Sequence, residues 1–155
     1  MDVGIKGGSK LKRRLEELAE NLRRNGQVRV GFLENATYPD GTIVAQVAAQ
    51  NEFGAVLNHA IIPARPFFRN MIAKYSQDWP AEVAILIIKN EYDSQITLLQ
   101  MGERIAGQLR QSIVDLVEPP LAPSTIARKG FDKPLIDTGH MLNSVDYELV
   151  KDVNL

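Results

Sequence analysis

Cysteine is absent from the 155 residues of this chain. Disulfide bonds, thiolate nucleophiles and zinc sites built on cysteine are therefore excluded, and assembly in the cytoplasm is compatible with the composition. Histidine is nearly absent as well, since His59 and His140 are the only two and lie far apart in the sequence. Neither histidine stands at a spacing that builds a metal site. We therefore expect no metal and no cofactor.

Long hydrophobic runs are also missing. The longest apolar stretch, residues 83–88, is far shorter than the roughly 18 residues that read as a membrane-spanning helix. The N-terminus does not show the basic and then apolar order of a signal peptide. We therefore expect no membrane contact.

A strong net charge is the third absence, because the formal net charge is -1. Such a chain has no overall attraction to nucleic acid or to an anionic membrane. The charge is nevertheless uneven: residues 1–26 are predominantly basic and residues 76–118 are predominantly acidic. Two solvated helix faces would explain this polarity, and so would a basic end of one subunit that meets the acidic helix of a neighbour.

The hydrophobic pattern predicts an α+β fold. The length fits a single domain, residues 1–155, with a flexible leader at about residues 1–8. Helical spacing predicts helices at residues 11–22, at residues 43–53 with Thr42 as the cap, and at residues 67–75, 81–89, 125–129 and 138–144. Alternation predicts a strand at residues 27–33, and a last strand is expected at residues 145–150. The result is several helices packed on a small, mainly antiparallel sheet, with open edges that a neighbouring subunit would complete.

The longest predicted helix covers about residues 93–117 and ends before Pro119-Pro120. Its predicted apolar stripe consists of Ile96, Leu99, Ile105, Leu109, Ile113 and Leu116. Gly54 and Gly130 each follow a predicted helix, where a left-handed residue would end it. We expect both glycines to be structural.

The triplet Asp137-Thr138-Gly139 is the sharpest sign of an enzyme. Aspartic proteases place this triplet after an apolar strand, and a single copy requires a homodimer in which two aspartates share a proton. Too few residues follow Gly139 for the flap and strands of such a protease. The structural interpretation is that Asp137 or Thr138 caps the helix that follows.

Basic residues near the N-terminus offer a DNA-binding interpretation. Glutamates share the same predicted helix, and no aromatic residues are interleaved for base stacking, so a solvated face is favoured. The basic residues are Lys10, Lys12, Arg13, Arg14, Arg23 and Arg24.

Two rigid segments are typical of contact surfaces. In residues 63–69, Pro63 and Pro66 restrict the backbone around two arginines and two phenylalanines, which would suit a partner interface. The other interpretation places phenylalanine in the core and uses the arginines to cap carbonyl groups. The second segment is residues 123–145. The interface candidates are Arg65, Phe67, Phe68, Arg69, Ser124, Thr125, Arg128, Lys129 and Lys133.

Four motifs occur in a fixed order through residues 45–147. They are Asn51-Glu52-Phe53-Gly54, then Ile62-Pro63-Ala64-Arg65-Pro66-Phe67-Phe68-Arg69, then Pro120-Leu121-Ala122-Pro123-Ser124-Thr125-Ile126-Ala127-Arg128-Lys129-Gly130, then Lys133-Pro134-Leu135-Ile136-Asp137-Thr138-Gly139. In this order, with a long helix between the second and third motifs, the sequence resembles the neck and tail-completion proteins of long-tailed bacteriophages, a group similar in kind to the minor tail protein Z of phage lambda.

This resemblance implies a structural virion protein without catalytic residues, assembled in the host cytoplasm into the tail or neck. It implies a ring of identical subunits, usually a hexamer, at the head-proximal end of the tail. It also implies tail terminator, tail tube or head-completion proteins as partners, and a passing contact with DNA. The alternatives are a homodimeric aspartic-type protease that uses Asp137 and a DNA-contacting head-tail adaptor.

Overall fold

The computed structural model describes residues 8–23, 26–57 and 60–151. The predicted leader lies almost entirely outside these residues. In chain order the elements are α1 (Gly8–Arg23), β1 (Gly26–Phe32), α2 (Val44–Phe53), β2 (Ala55–Leu57), β3 (Ala60–Ile62), α3 (Phe67–Tyr75), α4 (Trp79–Lys89), α5 (Ser94–Asp115), α6 (Pro123–Lys129), α7 (His140–Asn143) and β4 (Val145–Lys151). The predicted α+β fold with one long helix is confirmed.

The long helix α5 organises the molecule. It begins where the side chain of Asp93 accepts a hydrogen bond from the backbone N–H of Ile96 at 3.0 Å. On one side it carries an antiparallel pair in which β1 and β4 align from Gly26 opposite Lys151 to Phe32 opposite Val145. It also packs against α3 and α4. The first and last described strands therefore meet on the same helix.

The buried face of α5 differs from the predicted stripe at its N-terminal end. Ile96 and Leu99 are 47% and 39% exposed, so their assignment to the core was wrong. At Gly102 the sheet lies too close to α5 for a side chain. A Cβ added to Gly102 would lie 2.5 Å from Cγ2 of Val28 and 2.7 Å from Cδ2 of Tyr147. Glycine is therefore needed at this position, where α5 contacts the sheet.

One apolar core joins α2, α3, α5, α7 and β4. Its buried members are Val44, Ala48, Phe67, Met71, Ala106, Leu109, Ile113, Leu116, Leu135, Met141 and Val145. Burial of this set supplies the main stabilisation of the fold. Among the described residues, no helix has the length and apolar character that crossing a membrane would require.

One local prediction needs correction. Thr42 does not cap α2, because Ile43 is the N-cap residue and the backbone N–H of Thr42 instead donates to the carboxylate of Asp40 at 2.9 Å. After α2 the chain forms the short antiparallel hairpin of β2 and β3.

Candidate assembly surface

The end of α2 and the start of α3 form one interlocked unit. The carboxylate of Glu52, which is buried, accepts hydrogen bonds from the backbone N–H groups of Phe68 at 2.9 Å and Arg69 at 3.2 Å. It therefore caps the N-terminus of α3 from a different helix and places a negative charge at the positive end of the helix dipole. The backbone N–H of Arg65 adds a bond of 2.7 Å to the carbonyl of Asn51.

Arg69 closes this unit from outside. Its Nε donates to Oε1 of Glu52 at 2.7 Å, and a second guanidinium nitrogen donates to the Glu52 carbonyl at 2.9 Å. The guanidinium carbon also lies 5.0 Å from the ring centre of Phe53, a cation–π distance. Because about half of the Arg69 side chain is accessible, it can both hold α2 and face a partner.

Arg65 and Phe67 are not available as interface residues in the subunit. Phe67 is 1% exposed and belongs to the core. Arg65 is 6% exposed, and its Nε donates to the carbonyl of Pro119 at 3.4 Å. Burial lowers the pKa of Arg65. The interface interpretation of these two residues is therefore corrected to a structural one. Phe68 is half-buried and remains at the surface of the same unit.

The two prolines and Gly54 shape the loop between α2 and α3. Pro66 is the N-cap residue of α3, and Pro63 is exposed just after β3. Gly54 has a φ of 76°, so the predicted positive φ is confirmed, but its ψ of 161° is not the left-handed helical value. A Cβ at Gly54 would lie 2.9 Å from the carbonyl oxygen of Ile62, so only glycine fits this position.

The second predicted segment is held together by two lysines. Nζ of Lys129 donates to the carbonyl of Lys133 at 2.7 Å and also to the carbonyl of Ile136. It lies 4.9 Å from the ring centre of Phe131, and burial lowers the pKa of Lys129. Nζ of Lys133 reaches the carbonyl of Val114 at 3.2 Å. Both lysines thus fasten the loop after α6 within the subunit.

The remaining residues of this segment lie nearer the surface. Ser124 and Arg128 are exposed on α6, and Thr125 is half-buried. Gly130 ends α6 with a φ of 81° and a ψ of 0°, so its predicted left-handed conformation is confirmed. Ser124 and Arg128 therefore stay available for contacts with another protein.

Asp137 does not cap α7. Gly139, with a φ of 78°, is the N-cap residue, and Oγ1 of Thr138 accepts a bond from the backbone N–H of His140 at 3.4 Å. Asp137 lies one residue further from the helix, so its carboxylate is displaced from the first turn. The cap prediction was therefore wrong for Asp137, and Thr138 makes the nearest side-chain contact.

Asp137 instead lines an open pocket of about 470 Å³ beside Tyr38 and His140. The Tyr38 ring lies 4.7 Å from the His140 ring, and Nε2 of His140 lies 2.8 Å from the carbonyl oxygen of Thr37. Burial, and then the charge of Asp137, raise the pKa of Tyr38. The Ser144 hydroxyl donates to the His140 backbone carbonyl at 2.8 Å, so it is not paired with the imidazole ring.

No metal-binding group of three or more His, Asp or Glu side chains occurs in the part of the chain that the structure describes. His59 lies outside the described residues. Tyr38, Asp137 and His140 line the same pocket, and within the described part of the chain no hydrogen bond there pairs a nucleophile with a base.

The basic residues of α1 are largely paired within the subunit. Lys12, Arg13 and Arg23 each lie within 4.0 Å of a glutamate on the same helix. Arg14 contacts Glu91, after α4, at 2.8 Å. Part of the basic-to-acidic attraction seen in the sequence is thus satisfied inside one subunit. Arg24 lies outside the described residues.

The hairpin of β2 and β3 exposes apolar side chains that no sequence motif had indicated. Val56 and Ile61, which face each other across the two strands, are 73% and 80% exposed. We call Phe53, Val56, Leu57 and Ile61 the hairpin surface, since all four are exposed. A sequence signal was present, because residues 53–64 contain no Lys, Arg, Asp or Glu.

Beside the hairpin surface lies an apolar groove of about 230 Å³ between α2 and α3. We call it the α2–α3 groove. The two charged residues in its lining, Glu52 and Arg69, are paired with each other. The lining consists of Phe32, Ala45, Ala48, Ala49, Glu52, Phe53, Phe67, Phe68 and Arg69.

The helices α1 and α4 also expose apolar side chains. Leu11, Leu15 and Leu22 on α1 are about half exposed or more. Ile85 and Ile88 on α4 are also exposed. Large exposed apolar patches of this kind are typical of protein–protein contacts.

Comparison with known proteins adds no family to this description. A scan against family models finds no match, and searches of the curated proteins and of the solved structures find none either. The likeness to phage neck and tail-completion proteins stays a prediction from the four sequence motifs.

Proposed function

We propose that this protein is a structural subunit of a tailed-phage virion that completes the tail and helps to join it to the head. The subunit would act in a ring of identical copies, with tail terminator, tail tube or head-completion proteins as neighbours. The observation that carries this proposal is the hairpin surface, where Val56 and Ile61 remain exposed in a segment without charge. Exposed apolar surface of this kind is stabilised when an assembly covers it.

The packing of the four sequence motifs supports the same function. The first two motifs lock together through Glu52 and Arg69, and the third and fourth are fastened by Lys129 and Lys133. Arg65, in the second motif, bonds to the carbonyl of Pro119, which directly precedes the third motif. Motifs that act together to build one scaffold suit a protein whose task is to hold surfaces in place.

Separate apolar surfaces suit a subunit that contacts more than one neighbour. The hairpin adjoins α3, which is tied to the C-terminal part of α5 by the bond from Ser112 Oγ to the Phe67 carbonyl. The exposed leucines lie on α1, which contacts the first residue of α5 where Ser94 Oγ donates to the Asn21 carbonyl. Ser94 and Ser112 are separated by roughly 27 Å along the helix at 1.5 Å per residue. One surface can then serve the ring and the other a different tail or head protein.

The test is electron microscopy of particles made without this protein. We expect filled heads and separate tails that do not join, and we expect the wild-type gene supplied in trans to restore joined particles. The Asp137→Asn variant should restore joining equally well, because the proposal gives Asp137 no catalytic role. Normal virions in the absence of the protein would refute the proposal, and failure of Asp137→Asn alone would favour the protease alternative.

A further inference from the structure

We propose that the guanidinium group of Arg65 is the centre of a binding site for a small oxyanion of the phosphate or carboxylate class. The site lies where the loop before α3 meets Pro119, beyond the C-terminus of α5. The ligand is a dissolved ion and not a protein surface, because Arg65 is 6% exposed and only a small group can reach it. This site does not depend on the role in joining heads and tails.

Arg65 differs from the other buried polar side chains. Three polar or charged side chains are buried in the described part of the chain. Glu52 accepts bonds from the start of α3, and the hydroxyl of Thr97 donates to a backbone carbonyl at 2.8 Å. Arg65 has one side-chain bond, from Nε to the carbonyl of Pro119, and its length of 3.4 Å exceeds the usual range. Within the described residues, the two terminal nitrogens of Arg65 have no partner.

The positive charge of Arg65 is not balanced by a carboxylate. Among the described residues Arg65 forms no ion pair, and burial alone lowers its pKa, without an opposing effect of any acidic group. A buried charge without a partner is unfavourable, because it loses water and gains no compensating contact. An anion bound at the guanidinium group would supply the missing charge.

The terminal nitrogens of Arg65 remain within reach of a small ion. In the described residues, the only fully enclosed side-chain nitrogen or oxygen without a partner is Oε2 of Glu82. The unpartnered nitrogens of Arg65 are therefore not fully enclosed, although most of the side chain is buried. A guanidinium group presents parallel N–H donors that match two oxygens of a phosphate or carboxylate. This geometry favours an oxyanion over chloride.

The backbone on both sides of Arg65 is fixed before any ligand binds. The N–H of Arg65 donates to the carbonyl of Asn51 at 2.7 Å, and its carbonyl accepts a bond from the N–H of Phe67 at 2.8 Å. Pro66, between these two bonds, further restricts the chain. A donor that is already held in place loses little conformational freedom on binding.

The charged groups around Lys129, next to Arg65, leave a positive excess. Burial lowers the pKa of Lys129, and the positive charges of Arg128 and Arg65 lower it further. The carboxylates of Asp137 and Asp132 oppose this shift. Three cations and two carboxylates thus act on one another here, and one positive charge is unbalanced. One bound oxyanion would neutralise it.

Thermal unfolding in matched salts tests the site. The Tm is measured at pH 7 in sodium phosphate, in sodium acetate and in sodium chloride of equal ionic strength, so that screening is the same and specific binding differs. A dissociation constant on the order of 1 mM would raise the Tm in about 50 mM phosphate by about 5–9 °C relative to chloride. Broadening of the phosphorus NMR line of inorganic phosphate by the protein measures binding directly.

Two variants of Arg65 and one control define the expected result. Arg65→Met removes the charge and keeps most of the volume, so it should lose both the Tm response and the line broadening. In chloride it should be at least as stable as the wild type, because an unbalanced buried charge is gone. Arg65→Lys keeps the charge without the fork and should bind about fivefold more weakly or worse. The control Arg29→Met removes an exposed arginine that lies 3.8 Å from Glu148 and should keep the full response.

Several results would overturn the site. Equal Tm values in the three salts would do so, and so would equal responses of the wild type and Arg65→Met to phosphate. Arg65→Met that is destabilised in every salt, with no line broadening by the wild type, would leave Arg65 only its bond to Pro119. If Arg65→Met does not fold, the phosphorus line widths with the wild type and Arg65→Lys decide. A response to acetate alone supports a carboxylate ligand, whereas a response to duplex DNA without one to phosphate rejects the small ion.

Discussion

Gly102 and Gly107 lie on the same helix, α5, but only Gly102 packs against the sheet. Replacement of each glycine by alanine tests how closely the sheet packs against α5. A Cβ at Gly107 would meet no atom within 4 Å, whereas a Cβ at Gly102 would press against Val28 and Tyr147. Each change should gain about 1 kcal/mol from the helix propensity of alanine. At Gly102 overpacking opposes this gain by about 1–3 kcal/mol. Because two side chains are met at once, we expect a net loss of about 1–2 kcal/mol there.

The two variants should therefore differ by about 2–3 kcal/mol in the free energy of unfolding. Urea unfolding followed by circular dichroism measures this difference, and an unchanged dependence on urea would show that the unfolded states are comparable. Gly107→Ala should raise the Tm by about 2–4 °C, and Gly102→Ala should lower it by about 2–8 °C. Equal stabilisation by both changes would refute the close contact between α5 and the sheet.

Three other stability predictions follow from the loops, each measured by urea unfolding. Glu52→Ala should lower the free energy of unfolding by about 2–4 kcal/mol, because it leaves two N–H groups at the start of α3 without their partner. Glu52→Gln should cost less than half of that, and equal losses in the two variants would contradict the capping role. Gly54→Ala should cost more than Gly130→Ala, since both have positive φ but only Gly54 would bring its Cβ against backbone; the reverse order would be inconsistent with the described loop. Asp137→Ala should change stability by less than about 0.5 kcal/mol, and a loss above 1 kcal/mol would revive the cap interpretation.

Most of the helix predictions rest on local sequence signals at the ends of the helices. Pro66 marks the start of α3, Asp93 caps α5, and Gly130 ends α6 in the expected conformation. The terminal strand runs one residue further than expected, to Lys151. These signals depend on residues near one another in the chain, so the sequence displays them directly.

The structural features that the sequence did not predict depend on contacts between segments that are distant in the chain. Ile96 and Leu99 fit the helical period of α5. The sheet, however, packs against α5 at Gly102, so a different face of the helix is buried. Glu52 acts as the cap of a helix that begins fifteen positions later, and no local pattern marks such a role. The strands of the hairpin, such as Ala55–Leu57, are too short for a period to be recognised.

The contacts at the base of the hairpin separate the part of the chain that forms the scaffold from the part that protrudes into solvent. Glu52, Gly54 and Arg65 fix the two ends of the hairpin, and Val56, Leu57 and Ile61 between them lie outside the core. Sequence changes at Val56 and Ile61 are therefore nearly free of folding cost. Selection can alter what the hairpin recognises while the scaffold stays the same. Exchanging residues 55–62 between two such scaffolds would transfer partner choice as a unit, which makes the hairpin a natural position for grafting new binding specificity.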